Sequence, residues 1–214
     1  MKINSFRSTL LVYLGNILTD FIGLKILSTA LAPPICGKDV SPQIINKVLK
    51  EFLPILITKI SELNYRARDI SLHTLLSLFR HPAAEIGNLI VGCMDIVDFE
   101  EDIRPKNNVP IDKQQWRIVL ARLEIILHVL QEFGYDPDAW NWEPVFKYLV
   151  VPSLFHSNVD VRLLAIELCI TLYQLLGQEV HVAVNAIENI KPNLLHQIID
   201  RMDEIDRILN EKQV

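Results

Sequence analysis

The sequence has little glycine, little cysteine, no surplus of positive charge and no long uninterrupted apolar run. Its 214 residues include 7 glycines and 3 cysteines, and neither Asn-Gly nor Asp-Gly occurs. Without those dipeptides, and without sustained apolar/polar alternation, the tight hairpins of a sandwich or barrel lack their turn chemistry. Cys36, Cys93 and Cys169 are odd in number, far apart and set in apolar sequence. That pattern argues against a disulfide framework and suits buried, reduced thiols of a cytosolic protein. A net charge of -5 and a pI of about 5.7 repel phosphate backbones and anionic lipid surfaces, so neither nucleic acid nor membrane is expected as a partner. No uncharged stretch reaches the roughly 18 residues that a bilayer span requires.

Two further absences bear on function. Lys2 and Arg7 precede an uncharged stretch from Ser8 to Thr19, and Ala30-Leu31-Ala32 imitates a cleavage site. Asp20 and Lys25 interrupt the apolar run and the mock site lies far beyond it, which argues against a signal peptide. Catalytic signatures are missing as well: there is no glycine-rich phosphate loop, no nucleophile elbow and no paired-cysteine motif. His73, His81, His128, His156, His181 and His196 are dispersed without zinc spacing, and the run Glu100, Glu101, Asp102 does not converge as a calcium loop would. No enzyme activity, cofactor or metal is expected.

Half of the residues are hydrophobic and 22% are charged, enough apolar surface to offset the entropy of ordering the chain. Apolar positions recur at helical spacing almost everywhere, so the fold class is all-α. The pattern predicts helices at about 4–16, 19–30, 41–63, 66–80, 83–97, 112–133, 142–156, 159–176, 178–189 and 192–211. Ser41-Pro42 reads as a cap followed by a first-turn proline, and Pro54 is expected to bend the helix that it opens. The segment 112–133 is apolar nearly all round and is expected to be covered on several sides.

Internal repetition carries the most information. Asn64-Tyr65-Arg66-Ala67-Arg68-Asp69-Ile70-Ser71 parallels Asn158-Val159-Asp160-Val161-Arg162-Leu163-Leu164-Ala165, and each follows a proline-containing apolar helix. The apolar stripes continue in register: Ile70, Ser71, Thr74, Leu75, Leu78 and Phe79 against Leu164, Ala165, Leu168, Cys169, Leu172 and Tyr173. The offset of 94 positions is two periods of about 47, at the long end of the HEAT and armadillo range. Asn158, Val161, Arg162 and Ala165 resemble the opening of the second helix of a HEAT repeat, and Asn64, Ala67, Arg68 and Ser71 resemble it more loosely. In that place the small residue lets two helices approach, and the arginine is expected to clamp backbone carbonyls at the repeat junction.

The whole order resembles a narrower family. Phe21-Ile22-Gly23-Leu24-Lys25-Ile26-Leu27, Leu53-Pro54-Ile55-Leu56, Val119-Leu120-Ala121-Arg122-Leu123 before Glu132-Phe133-Gly134, Val145-Phe146-Lys147-Tyr148 and Asp160-Val161-Arg162 together look like a TOG domain, of the kind found in a centrosomal and ciliary-tip protein of about 104 kDa. The resemblance implies a single right-handed α-solenoid over residues 1–214, a flat paddle of about four and a half HEAT repeats lacking a complete first repeat. It implies a non-catalytic, monomeric module whose partner is the tubulin dimer or a microtubule end, with other ciliary-tip or centriolar proteins as further candidates. The setting implied is cytoplasm and cytoskeleton, at the centriole, basal body and cilium tip.

Carried onto this sequence, the tubulin-facing row of turns comprises Asn16 and Asp20; Asn64, Tyr65, Arg66 and Arg68; Arg104, Lys106, Asn107 and Asn108; His156, Ser157 and Asn158; and Lys191. Acidic tubulin surface would be met by cations and amides on rigid turns, and local basicity can coexist with a net acidic chain. TOG domains carry a tryptophan in the first loop, whereas Trp116, Trp140 and Trp142 all lie in the second half and are expected to be packing residues. The alternative is a HEAT scaffold that bridges other proteins through a helical face or the terminal repeat; a large apolar patch would favour it.

Overall fold

The computed structural model describes residues 53–80, 87, 90, 92–93 and 116–211, and the chain divides into two compact units, Met1–Cys93 and Met94–Val214. Among the described residues there are helices and the turns between them, and no strand.

In the first unit, α1 (residues 53–60) and α2 (Tyr65–Phe79) flank a turn at 61–64. α1 buries Leu53, Leu56, Ile57 and Ile60, a spacing of three and four that gives one apolar face. α2 answers with Ser71, Thr74, Leu75, Leu76 and Phe79. The Ser71 hydroxyl donates to the Ala67 carbonyl at 2.7 Å, so this small residue is buried without an orphaned donor. A Cβ added at Gly92 would collide with Leu53 Cδ2, so the Leu53 side chain would have to shift to admit one. The upstream half of the helix that Pro54 was expected to bend lies outside the described residues, as do the helices expected at 4–16 and 19–30.

The second unit contains α3 (Trp116–Phe133), α4 (residues 142–154), α5 (Val159–Leu176), α6 (Gln178–Asn185) and α7 (Pro192–Glu211). α5 is the hub, in contact with all four others. It accordingly buries Val161, Ala165, Ile166, Leu168, Cys169, Ile170, Leu172 and Tyr173. α3 buries Val119, Ala121, Leu123, Ile125, Ile126, Leu127, Val129 and Leu130; at 100° per residue these positions leave only a narrow stripe for solvent. The expected cover on several sides is therefore present.

α4 is not uniform. Its centre, Phe146–Val150, is a π-helical turn in which the Val151 N–H reaches the Phe146 carbonyl, five residues back. Pro152 supplies no N–H and its ring would press on the carbonyl four residues earlier, so widening the turn removes the clash. The helix ends at Leu154, two residues before the expected 156.

α6 corrects the sequence reading more sharply, ending at Asn185 rather than 189. Asn189 adopts a left-handed φ of 59°, and Pro192 disfavours helical geometry at Lys191, so 186–191 becomes a turn. Trp140 and Trp142 are buried, in edge-to-face contact with Tyr135 and Phe146 at 5.1 and 5.7 Å. Half-buried Trp116 lies under the Arg117 guanidinium at 4.6 Å. Packing is their role here.

Candidate functional site

The repeat read from the sequence reappears as repeated hydrogen bonding. Asn158 Oδ1 caps α5 by accepting from the Asp160 and Val161 N–H groups at 2.8 and 3.2 Å. Asn64, 94 positions earlier, caps α2 identically, accepting from Arg66 and Ala67 at 3.2 and 3.4 Å. Beyond each cap, Ser71 and Ala165 are the small residues with no exposed surface, and Phe79 and Tyr173 close the stripes.

The turn at 155–158 is built from within. Arg162 Nη1 donates to the His156 and Ser157 carbonyls at 2.7 and 2.8 Å, the clamp expected of this arginine. His156 is 3% exposed, and its Nδ1 accepts from the Asn158 N–H at 3.0 Å. The imidazole thus shapes the turn from beneath, while exposed Ser157 presents its surface. Of the residues selected from sequence in this turn, Ser157 is outward, Asn158 is a cap and His156 is interior.

α7 brings a second turn to the same end. Arg201 makes a two-pronged ion pair with Glu167 at 2.6 and 3.0 Å, and the Tyr173 hydroxyl donates to Asp206 Oδ2 at 2.7 Å. Partners advance together along both helices, so α5 and α7 run in the same direction and their amino-terminal ends are neighbours. Between those ends lies a groove of about 670 Å³, lined among others by Phe155, Ser157, Arg162, Lys191, Asn193 and Gln197. No carboxylate lines it. Lys191 is the outward cation of this acid-free groove, Arg162 being engaged by the carbonyls of its own turn, and the lining suits a carboxylate-bearing partner.

In the first unit the corresponding turn shows Asn64 as cap, Tyr65 and Arg66 exposed, and Arg68 half-buried. Tyr65, 79% exposed, occupies the same repeat position as Val159, 55% exposed, and Leu63 is 75% exposed beside it. Each tip therefore offers apolar surface as well as charge. The sequence reading, which weighted cations and amides, passed over Leu63, Phe155 and Val159; an apolar residue at the first helical position of both repeats was the available signal. Asn16, Asp20, Arg104, Lys106, Asn107 and Asn108 lie outside the described residues. Among the described residues no cluster of histidine, cysteine and carboxylate gathers, and no helix is long and apolar enough to cross a membrane.

The all-helical chain with its capped second helices is an α-solenoid with a TOG-like fold. Among solved structures, the crystal structure of the MAST/Orbit N-terminal domain is similar to it, with a TM-score of 0.64 and 18% identity over 86% of this chain and 71% of that one. No protein-family model and no curated protein sequence matches the chain.

Proposed function

We propose that this chain is a non-catalytic tubulin-binding module of the TOG type, acting as a monomer in a protein that regulates microtubule ends. The observation that carries the reading is the TOG-like fold, whose second unit gathers Ser157 and Lys191 at one end around an acid-free groove. Tips that combine an exposed apolar residue with a neighbouring cation match what an acidic protein surface needs: desolvated contact plus charge complementarity. A place at the centriole, basal body or cilium tip, within the cytoplasm and cytoskeleton, extends the same proposal and rests on the sequence resemblance.

The test is co-elution of the purified chain with tubulin dimers, followed by interferometry at two salt concentrations. Binding that weakens as salt rises supports the proposal. The variant Arg66→Glu/Arg104→Glu/Lys106→Glu, folded by thermal melt, should bind markedly less. Unchanged binding by that folded variant, or no binding by the wild-type chain, overturns it.

A further inference from the structure

We propose that the groove between the amino-terminal ends of α5 and α7 seats a single carboxylate of the partner protein, held by the buried ring of His156 together with Lys191 and the open first turn of α7. This deepens the tubulin reading, on which it rests for the partner, by naming the group that enters the groove. One ring nitrogen of His156 is committed and the other is not. Nδ1 accepts from the Asn158 N–H at 3.0 Å, so it carries no hydrogen and the proton of the ring sits on Nε2. That Nε2–H is enclosed and has no acceptor. Because a buried donor without a partner is costly, its place in the fold is informative. His156 is 3% exposed and lines the groove, so the missing acceptor can arrive from that side. Seating it requires the lining to give, and exposed Phe155 and Lys191 are the side chains least held by neighbours.

The first turn of α7 supplies a second unpaired donor. Asn64, Asn141 and Asn158 cap α2, α4 and α5 with a side-chain oxygen, whereas the residue in that place on α7 is Lys191, which has none. Its carbonyl takes the Leu194 and Leu195 N–H groups, and Pro192 has no N–H to offer. Among the described residues the Asn193 N–H is left without an acceptor. His156, Lys191 and Asn193 line one groove, and no carboxylate of the chain does. Hydrogen-bond donors without an acid select an anion, and one free ammonium matches the single charge of a carboxylate better than the nearly double charge of a phosphate.

The experiment follows the nitrogen-labelled 214-residue chain by NMR while a capped peptide carrying one glutamate, its glutamine counterpart, a peptide whose only carboxylate is its own terminus, and inorganic phosphate are titrated separately. In the free chain the His156 ring should report the Nε2–H tautomer. The glutamate peptide should shift the Asn193 amide and His156 Nε2 saturably, and the glutamine peptide should bind at least about tenfold more weakly. Saturable binding of either carboxylate peptide supports the seat, and the tighter of the two names the source of the group. His156→Asn keeps an acceptor for the Asn158 N–H and deletes the Nε2–H, and should weaken the glutamate peptide by about tenfold or more. Lys191→Gln, at an exposed position, should weaken it by about two- to fivefold, with thermal melts showing that each variant is folded. Unaltered binding in both folded variants, equal shifts from the glutamine peptide, tighter binding of phosphate than of the glutamate peptide, or no saturable shift at either residue overturns the proposal. Tubulin co-elution is scored separately: a chain that co-elutes yet seats no carboxylate sinks this inference alone, and one that seats the carboxylate without co-eluting sinks the tubulin reading alone.

Discussion

Arg162 holds two carbonyls of one turn with a single Nη1, so its removal leaves both carbonyls without their donor. Arg162→Ala should cost about 1 to 3 kcal/mol in chemical denaturation while leaving tubulin binding by the folded protein unchanged. Asn158 and Asn64 satisfy two N–H groups each, and alanine at either should cost about 1 kcal/mol by the same measurement. Cys169 has no exposed surface, and burial pushes its thiol from the ordinary 9.0 up to about 12. Tyr173 rises from 10.0 to about 12, chiefly through burial and then through its bond to Asp206. Both folded values lie above the unfolded ones. Their stabilisation is therefore whole below pH 9 and 10 respectively, and is lost as pH climbs towards 12. Melting temperature should fall across that window, less steeply in Tyr173→Phe, and Cys169 should resist alkylation until the protein unfolds.

At the scale of elements, helix contacts decide more than helix propensities. Gly92 packs so closely on Leu53 that Gly92→Ala should destabilise the first unit by about 1 to 3 kcal/mol, even though alanine is the better helix former. Local hydrogen exchange in residues 53–80 would read that effect. The π turn in α4 shows the same priority: one proline without an N–H changes the register of five residues and leaves Leu149 and Val150 buried. The apolar period gave no sign that α1 stops at residue 60 rather than at the expected 63, whereas α2, α3, α5 and α7 were legible because their periods are strong. The ends of α4 and α6 were not, because a π turn and a left-handed asparagine leave no mark in a hydrophobic period.

For the molecule as a whole, the far-ultraviolet spectrum should be strongly helical without β signal. The groove beside exposed Lys191 is lined without carboxylates. Reversing Lys191 to glutamate together with Arg66→Glu should weaken tubulin association, read by co-elution, in a variant that thermal melts show to be folded. Each single exposed charge contributes only about 0.2 to 1 kcal/mol, so the combined variant is the informative one.

The sequence by itself determined the helical class, the 94-residue repeat, the asparagine caps and the clamping arginine, because all of these are local: they follow from spacing along one chain and hydrogen bonds spanning a few residues. Tertiary structure decided which turns share an end, since only the Glu167–Arg201 and Tyr173–Asp206 contacts make α5 and α7 parallel and bring Lys191 beside Ser157. It also decided that His156 faces inward and that Val159 faces out. Both side chains have their exposure set by neighbours distant in sequence, and burial is a property of what packs on a residue rather than of the residue itself.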